Sequence, residues 1–533
     1  MKLIDPNITG HLPLLTLSYF NNKKELNSFY NRSNELKNYR DQIEEKHKNF
    51  NNKSRNILSQ VLIEQYQSIS DNNVQLSLID DLSKSNTFTV TTGHQLNLFT
   101  GPLYFFYKII DTIKICEDLR SKFPKNNFIP IYWMASEDHD FEEINFFKTA
   151  KKQFNWKVKT KGKVGDLNTE KLSEVFQEMS NFFDKENINV QKMISFFESS
   201  YLKNKNLSTA TLHLVHKIFG KHGLVILNPD NKNLKKLMID VFIDEIKEST
   251  CFDVVSKTNA RLTEFFKGKI KPLVNPRSIN LFYIKNNLRS RIEKNDLVYN
   301  VLESEISFTQ DEIINEIRNY PERFSPNVLI RPLYQETILP NLAYVGGGSE
   351  IAYWLQLKEY FDKKNTTFPV LSIRSSVLLI NKKHSNSLKK MNLNIEHFFK
   401  KNENLLKFYT NKFSKNKIDF TTLKTTLSDN FKQLYEVVKL TDFSFTGSVN
   451  AQEKKQKNGL DNLEIRLLKA EKKKNKEKLD KIISIKRELF PYNSFQEREI
   501  NFSEFFQYYG DEFIDLIMKN TDPFDPSFVV IEL

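Results

Sequence analysis

The 533-residue sequence contains two cysteines, Cys116 and Cys251, and this scarcity excludes several kinds of protein. Two thiols cannot supply a disulfide framework or a multi-cysteine zinc site. We therefore predict no structural metal and expect a reducing compartment, the cytoplasm. Cys116 falls in an apolar helical pattern, so packing is a better interpretation for it than a nucleophilic role.

Long apolar runs are also missing. No stretch approaches the roughly 18 consecutive apolar residues of a membrane span, and the first residues form no apolar run of the kind found in secretory signals. Apolar residues nevertheless make up 39% of the chain, and 44 phenylalanines supply large side chains for a core. At roughly 150 residues per domain, the length suggests three or four structural units, so we predict a globular protein without a membrane partner.

Positive charge exceeds negative charge, but the excess is unevenly distributed. The formal charge is +13; residues 1–380 carry +7, residues 381–490 carry +13 and residues 491–533 carry −7. Residues outside the middle segment therefore sum to zero, which makes nucleic acid an unlikely partner for the whole protein. The middle segment remains open to an alternative, an RNA- or tRNA-binding module whose lysines contact phosphates.

From about residue 82, short β-branched strands alternate with helical stretches, which is typical of an open parallel sheet. The pattern predicts strands at 88–92 and 128–134, a helix with Pro102 in its first turn, a third strand–helix unit from 223–230, and a helix near Ser349 flanked by 328–345 and 368–373. Two insertions interrupt it, a mostly helical one near 151–221 and one of short strands and loops near 251–324. We predict an α/β fold with a Rossmann-like core in residues 1–380.

Residues 381–490 are rich in Lys and Asn and have helical spacing, which predicts a coiled-coil domain. One heptad seam contains Ile465, Leu468, Leu479, Ile482 and Leu489, although Lys472, Asn475 and Lys486 also fall on it. A helical hairpin would return the chain, so that residues 491–533 complete the core. Asp-Pro and Pro-Ser steps there argue against a long final helix. A scaffold in which this helical segment alone matters is a third interpretation of the protein.

Polar loops follow the predicted strands, and ligands of open α/β sheets bind at the carboxyl ends of the strands. The first loop contains Gly93, His94 and Gln95 and ends at Gly101, before a helix whose positive end faces it. The loop could bind an anion, and an ordinary Gly-Pro turn is an equally good interpretation.

A dense acidic cluster follows the second strand: Glu137, Asp138, His139 and Asp140. Ionisable groups so close repel one another unless a cation lies among them, which favours a functional interpretation. A carboxylate could hold a substrate amine, and the histidine beside it could act as general base. A solvated N-capping turn is the alternative. A metal site of His139 with Asp140 or Glu142 is a weaker hypothesis, because no H-E-x-x-H motif or Cys pair supports it.

Three of the 14 glycines fall consecutively between a strand and a helix. This stretch consists of Gly346, Gly347, Gly348 and Ser349, and the serine can cap the helix. Backbone N–H groups there could approach a phosphate or carboxylate, although neither G-x-G-x-x-G nor P-loop spacing is present. A flexible loop with Trp354 in the core is the alternative. Arg331 and Arg374 are further candidate anion-binding residues near strand ends.

Several separated motifs, in order along nearly the whole chain, carry a resemblance to a known family. They are Thr92–Tyr104 with Tyr107 and Lys108, Glu137–Asp140, Arg331-Pro332 with Gln335-Glu336, Val345–Gly347 with Glu350–Trp354, and Phe490-Pro491 with Gln496–Arg498. Together they resemble the bacillithiol biosynthesis cysteine-adding enzyme family. The family has Gln where this chain has His94, which indicates a hydrogen-bonding role for His94 rather than acid–base catalysis.

The resemblance implies a core similar to nucleotidyltransferases such as class I aminoacyl-tRNA synthetases, with connecting insertions and a coiled-coil domain that forms a homodimer. The implied activity is that of a ligase, which adds L-cysteine to glucosaminyl-malate in the last step of synthesis of bacillithiol, a low-molecular-weight thiol. Forming an amide from a free carboxylate requires activation, so ATP with Mg²⁺ is expected, although the motifs H-x-G-H and K-M-S-K-S are absent.

The resemblance also implies roles for individual residues. We expect the acidic cluster to bind or deprotonate the amine, and Arg331 or Arg374 to meet the malyl carboxylates. The glycine loop with Ser349 would cradle an anionic group. The further residues expected to bind substrate or nucleotide are Gly93, His94, Gln95, Gly101, Tyr104, Lys108, Gln335, Glu350, Tyr353 and Trp354.

Overall fold

The structure, a computed structural model, describes residues 1–414 and 418–533. The chain forms two compact units. Residues 1–379 and 494–532 make up the first unit, and residues 380–493 with Leu533 make up the second. The C-terminal segment therefore belongs to the first unit together with the sheet that carries the candidate site.

A five-stranded parallel sheet is the centre of the first unit, which confirms the predicted α/β core. In chain order, its core strands are Thr87–His94, Asn127–Met134, Val225–Leu227, Asn341–Gly346 and Val370–Ile373. In the sheet they lie in the order fifth, fourth, first, second, third. Because chain order reverses between the first and fourth core strands, a topological switch point lies between them, where open α/β sheets bind ligands outside the carboxyl ends.

Helix Tyr104–Lys122 joins the first core strand to the second and packs on the sheet. It begins two residues after Pro102, because Leu103 takes the N-cap position; the prediction that Pro102 lies in the first turn is therefore wrong. Cys116 is fully buried and packs in the same cluster as Phe88. Burial raises the pKa of its thiol to about 12, so the packing interpretation is confirmed.

The first unit has further helices outside the sheet. They are Pro6–Thr9, Leu14–Phe20, Tyr39–Asn49, Asn52–Tyr66, Asn73–Asp81, Arg331–Ile338, Gly348–Trp354 and Lys358–Lys363. The stretch 328–345 thus holds a helix before the fourth core strand, because Pro332 suits a first helical turn. Gly347 is the N-cap of the helix near Ser349, and Ser349 lies exposed within the first turn, so its predicted capping role is wrong.

Between the second and third core strands, the chain forms a one-turn helix, a small hairpin and then three longer helices. The hairpin strands are Phe146–Lys148 and Gln153–Asn155, and the helices are Phe141–Ile144, Leu172–Phe182, Ile188–Phe197 and Leu207–Phe219. Aromatic rings of this region stack closely, as Phe147 and Phe154 do at 4.6 Å between centroids. The region is a packed layer beside the sheet.

Between the third and fourth core strands, helices lead into an antiparallel sheet. The helices are Lys232–Lys236, Ile239–Glu248, Thr250–Phe265 and Gln310–Asn319, and the strands are Leu281–Lys285, Leu288–Asn295, Val298–Val301, Ser307–Phe308 and Phe324–Pro326. The prediction of short strands and loops for residues 251–324 is wrong at its start, where the long helix Thr250–Phe265 forms. Its buried Cys251, Val255 and Leu262 recur at helical spacing, which stabilises a helix when that face is covered.

The C-terminal segment consists of short elements. Its helices are Gln496–Glu499, Ser503–Tyr509 and Glu512–Asn520, and strand Phe528–Glu532 lies between Lys2–Ile4 and Ser376–Ile380 in a three-stranded sheet. The last helix ends before Asp522-Pro523, which confirms that no long final helix forms. Glu497 is buried and accepts the Val377 N–H at 3.0 Å, so a charged side chain anchors this segment.

The second unit is helical, with the helices Lys382–Lys390, Asn402–Phe413, Thr421–Thr441, Thr446–Lys474 and Lys476–Leu489. The third and fourth of these form an antiparallel hairpin, in which Phe431, Val438 and Val449 are buried together. The predicted seam is wrong at Ile465, which is 50% exposed, and the helix is interrupted at Asn475. In the residues that the structure describes, no helix combines the length and apolar character needed to cross a bilayer.

Candidate functional site

The loops singled out in the sequence meet at one edge of the core sheet. Gly93 and His94 end the first core strand, residues 135–140 follow the second, Gly346 ends the fourth and Arg374 follows the fifth. Because the strands are parallel, their carboxyl ends lie at the same edge. This edge includes the switch point, so the topology brings together the predicted anion-binding and acidic groups.

Lys108 and Glu350 tie the first loop to the glycine loop. Lys108 donates from Nζ to the Gly93 carbonyl at 2.8 Å and to Glu350 Oε1 at 2.5 Å. The other carboxylate oxygen of Glu350 accepts from the Tyr344 hydroxyl at 2.7 Å. Burial lowers the pKa of Lys108, while Glu350 opposes that shift. The pair therefore fixes the geometry of the switch point.

Arg331 faces this edge from helix Arg331–Ile338. Its guanidinium lies 5.8 Å from the Trp133 ring centroid, 5.7 Å from that of Tyr344 and 6.0 Å from that of Trp354. Nη1 donates to Gln335 Oε1 at 3.1 Å. Nη2 is buried and has no hydrogen-bond partner in the described part of the chain. Such a group is available to a bound anion.

Arg374 is more completely engaged by the protein. Nη2 donates to Glu497 Oε1 at 2.7 Å and Nη1 donates to the Ser375 carbonyl at 2.9 Å. Nε is the one nitrogen of this guanidinium without a partner among residues 1–414 and 418–533. The Tyr104 ring centroid lies 5.0 Å from the guanidinium. Arg374 therefore mainly links the edge of the sheet to the C-terminal segment.

His94 is buried beside aromatic rings, with Tyr104 at 5.3 Å and Phe105 at 5.1 Å between centroids. Burial, together with the positive charges of Lys108 and Arg374, holds the pKa of His94 well below its usual value. The ring is therefore neutral. A neutral imidazole in this position can donate or accept a hydrogen bond, as a glutamine amide can.

The predicted acidic cluster already has protein partners. Glu137 forms a buried ion pair with Lys235. Asp138 accepts the His139 backbone N–H at 2.8 Å and a Gln95 Nε2 hydrogen at 2.9 Å. Gln95 therefore connects the first loop to the second.

The pKa values of the two carboxyl groups shift in opposite directions. Burial raises the pKa of Glu137, and Lys235 offsets part of that rise. Burial also acts to raise the pKa of Asp138, but hydrogen bonds from His139 and Gln95 outweigh it and hold that pKa well below its usual range. Asp138 is therefore a firmly ionised acceptor, better suited to binding a cation than to removing a proton.

His139 lies against the inserted antiparallel sheet. Arg289 Nη1 lies 2.8 Å from His139 Nδ1, and a guanidinium can only donate, so Nδ1 accepts and the ring carries its proton on Nε2. Asp140 is exposed at the start of helix Phe141–Ile144. Among the described residues, no group of three His, Cys, Asp or Glu side chains is arranged to hold one metal ion.

A cavity of about 470 Å³ opens beside this cluster. The end of the second core strand forms one wall, and the strands that carry Phe282, Arg289 and Arg291 form another. Four arginines line it, together with two carboxylates: Arg277, Arg289, Arg291 and Arg331 with Glu137 and Asp138. Positive charge exceeds negative charge along these walls, so the cavity favours an anionic ligand.

Other predicted residues lie around the cavity rather than in it. Trp354 is buried and stacks on Tyr344 at 4.6 Å, so the core interpretation of Trp354 is confirmed. Tyr353 lies beside Arg331: burial acts to lower the pKa of the guanidinium, but Tyr353 and Tyr344 outweigh it and raise that pKa. A Cβ atom on Gly348 would come within 2.9 Å of Leu12 and Pro13 side chains, so this glycine packs on the N-terminal segment.

Gly101 and Gly346 have structural reasons to be glycine. Gly101 has φ +64°, and a Cβ there would lie 2.7 Å from Asn97 Cβ. A Cβ on Gly346 would lie 3.0 Å from the Tyr344 ring. Gly347 has more room, since its Cβ would meet the Glu350 and Arg374 side chains at 3.6 and 3.7 Å.

The sequence interpretation missed Lys235, Arg289 and Arg291. The signal for the two arginines was the alternation Arg289-Ser290-Arg291 in a strand, which places both side chains on one face. Lys235 gave no comparable signal, because its partner Glu137 is 98 residues away. These cations explain how an acidic cluster can be stable at the end of a buried strand.

Comparison with protein families gives matches along nearly the whole chain. The family model described as "Bacillithiol biosynthesis BshC, N-terminal Rossmann-like domain" matches residues 6–375. The model described as "Bacillithiol biosynthesis BshC, C-terminal coiled-coil domain" matches residues 377–533. The two models together cover both structural units.

Individual proteins are similar over the same extent. A Flavobacterium johnsoniae protein is 45% identical over 525 residues, 98% of each chain. A Christiangramia forsetii protein is 45% identical over 527 residues, 98% of this chain and 97% of its own. A Flavobacterium psychrophilum protein is 46% identical over 525 residues, 98% of each chain. Each is named "Putative cysteine ligase BshC".

Proposed function

Because the chain belongs to the bacillithiol biosynthesis BshC family, we propose that it is a cysteine ligase that completes bacillithiol. It joins the carboxylate of L-cysteine to the amine of glucosaminyl-malate and forms an amide, a carbon–nitrogen bond. The full-length match to relatives that carry the cysteine ligase name is the observation that supports this proposal most strongly. We further propose that it acts in the cytoplasm, in keeping with its two unpaired cysteines.

The charge of the cavity supports a malyl substrate. The malyl group carries two carboxylates, and four arginines line the cavity. Of the two arginines considered from the sequence, Arg331 is the better ligand, because its Nη2 has no partner in the described residues. Arg374 already donates from both terminal nitrogens to Ser375 and Glu497.

The acidic cluster would bind the amine of the substrate. In our proposal Asp138 binds the amine as a hydrogen-bond acceptor, since its low pKa keeps it ionised. Glu137 contributes by holding Lys235 rather than by proton transfer. His139 lines the cavity, and because Arg289 occupies its Nδ1, Nε2 is the ring nitrogen that can donate to a ligand.

We propose that ATP with Mg²⁺ activates the cysteine carboxylate, because carboxylate oxygen is a poor leaving group. When bound, ATP supplies the leaving group for amide formation. At the switch point, Arg374 Nε has no partner among the residues described and could donate to a phosphate, whereas Lys108 and the Nη2 of Arg374 already pair with Glu350 and Glu497. Gly347 leaves room for the backbone to approach such a group.

We propose that the second unit forms a homodimer with a second copy of the chain. Near the turn of its helical hairpin, large apolar side chains are exposed, including Val437 at 58%, Leu440 at 87% and Phe443 at 72%. Burying such a patch against a second copy removes apolar surface from water. Light scattering should give twice the chain mass for the wild type and the chain mass for Val437→Lys with Leu440→Lys. A monomeric wild type would contradict the dimer.

The RNA-binding alternative has weaker support. Lysines along the hairpin pair with acidic residues of the same unit, as Lys424 does with Asp461 at 2.5 Å. Such pairs reduce the charge available to phosphates. Salt-dependent binding of tRNA by the purified protein would favour this alternative.

Purified full-length protein, incubated with L-cysteine, ATP, Mg²⁺ and glucosaminyl-malate, should produce bacillithiol, measured by thiol labelling and mass spectrometry. Omission of any one substrate should abolish the product. Asp138→Asn should raise the KM for glucosaminyl-malate, whereas Glu142→Gln, an exposed carboxylate of the same segment, should not. Folded protein that makes no product would contradict the proposal that this chain suffices.

A further inference from the structure

A buried row of polar side chains leads from the interior of the first unit to Arg331. Lys46 donates from Nζ to Glu336 Oε2 at 2.9 Å. Glu336 Oε1 accepts from Gln335 Nε2 at 3.0 Å, and Gln335 Oε1 accepts from Arg331 Nη1 at 3.1 Å. Lys46, Gln335 and Glu336 are each at most 1% exposed, so water does not compete for these bonds.

The charges at the two ends of this row determine which way the Gln335 amide points. A carboxylate can only accept hydrogen bonds and a guanidinium can only donate them. Gln335 must therefore turn its NH₂ group to Glu336 and its carbonyl to Arg331. With the amide reversed, an NH₂ group would face a guanidinium and a carbonyl would face a carboxylate, so both hydrogen bonds would be lost.

Glu336 also accepts a hydrogen bond from outside the row. Its Oε1 accepts a second hydrogen bond, from Asn341 Nδ2 at 2.7 Å. The Asn341 amide is oriented in turn, because Asn341 Oδ1 accepts from the Thr91 hydroxyl at 2.8 Å. Three donors therefore converge on one carboxylate. Burial raises the pKa of Glu336, and these three partners offset part of that rise.

We infer that Lys46, Glu336 and Gln335 are positioning residues, which hold the Arg331 guanidinium toward the cavity and thereby set the affinity of the site for a dicarboxylate. The guanidinium lies among three aromatic rings, and its second terminal nitrogen has no partner in the described residues. The identification of this dicarboxylate as the malyl group rests on the proposed function. The hydrogen-bonded row itself does not.

L-malate is the probe for a direct test on the full-length protein. Trp133 and Trp354 lie within about 6 Å of the guanidinium, so binding there should change tryptophan fluorescence. Gln335→Met removes both hydrogen bonds at nearly constant side-chain volume. We expect the Kd for L-malate to rise about tenfold, the factor typical of losing a hydrogen bond to a charged group. The KM for glucosaminyl-malate should rise similarly, and the KM for cysteine should not change.

Gln42→Met is the matched control. Gln42 is fully buried on the same helix as Lys46, and its Nε2 donates to the Phe368 carbonyl at 3.0 Å, outside the row. It should affect thermal stability as Gln335→Met does, but leave the Kd for L-malate within about twofold of the wild-type value. Equal weakening by both substitutions would mean that general loosening, not positioning, causes the effect.

Glu336→Gln provides a second variant if Gln335→Met does not fold. It keeps the side-chain size but no longer forces the orientation of the Gln335 amide, so the Kd should rise at least threefold. A folded Gln335→Met or Glu336→Gln protein with the wild-type Kd overturns the inference, as does wild-type protein that does not bind L-malate. Wild-type protein that binds L-malate but forms no bacillithiol refutes the proposed function and leaves the positioning role intact.

Discussion

Replacing Lys235 by methionine should destabilise the protein strongly, and a second substitution at Glu137 should reverse most of the loss. Lys235 is fully buried and contacts both Glu137 and the Phe324 carbonyl, the latter at 2.6 Å. Lys235→Met leaves the Glu137 carboxylate buried without its cation. Glu137→Gln with Lys235→Met leaves two neutral side chains of similar size.

The magnitudes follow from the burial of both partners. Removing one partner of a buried ion pair costs about 3–5 kcal/mol, because it leaves a buried charge uncompensated. Replacing both partners by uncharged side chains of similar size leaves no such charge and should cost much less. We therefore expect Lys235→Met to lower the melting temperature of the first unit by roughly 3–6 °C and the double variant by roughly 0–1 °C, since unfolding entropy scales with the size of the unit. Glu137→Gln alone should lie between them, because Lys235 keeps the Phe324 carbonyl as acceptor.

Differential scanning fluorimetry and the bacillithiol assay should be run on the four proteins of this double-mutant cycle. If Glu137 acts by holding Lys235, the double variant should regain both stability and most of the ligase activity. A double variant that melts like the wild type but has lost activity more than about a hundredfold would refute this reasoning, since it would show that the Glu137 carboxylate takes part in the chemistry.

Three further predictions concern individual side chains. His94→Gln should keep kcat/KM within about threefold of the wild-type value with an unchanged pH profile, because the imidazole is neutral; a tenfold loss would contradict the hydrogen-bonding role. Glu497→Gln should lower the melting temperature at pH 7. Burial acts to raise the pKa of Glu497, but Arg374 outweighs it and holds that pKa below 4.5. The stabilisation by ionised Glu497 is therefore complete above pH 4.5 and is lost as the pH falls through the lower pKa of the folded state. An equal difference between the melting temperatures of variant and wild type at pH 7 and at pH 3 would contradict this. Ser349→Ala should change stability by less than about 0.5 kcal/mol in thermal denaturation, because Gly347 holds the N-cap position; a larger loss would restore the capping role.

The parallel sheet could be predicted because its signals are local. Strands rich in Thr, Val and Ile alternate with helices, and parallel connection then follows from the length of each crossover. The helix Thr250–Phe265 was missed for the opposite reason. Its apolar face is narrow, and what covers it comes from distant parts of the chain, such as helix Lys358–Lys363.

The predicted heptad seam of the second unit is wrong at Ile465 for a related reason. A heptad pattern identifies side chains that could share one face, but burial depends on which neighbouring helix covers that face. Leu468 and Leu479 are covered, whereas Ile465 remains half exposed. The first helix ends before Asn475, and a separate helix, Lys476–Leu489, buries Leu479, Ile482 and Leu489.

For the candidate site, the sequence alone determined which loops meet, and tertiary structure decided what each side chain does there. Loops that follow parallel strands share an edge whatever the insertions contain. The partner of each side chain could not be predicted in this way, because Arg289 lies 150 residues from His139 along the chain and Lys235 lies 98 residues from Glu137. The inserted antiparallel sheet carries Arg289 to His139, and the helix Lys232–Lys236 after the third core strand carries Lys235 to Glu137. An acidic cluster in the sequence thus became, in the folded protein, one side of a cavity in which positive charge prevails, because folding brought in cations that no local pattern pairs with it.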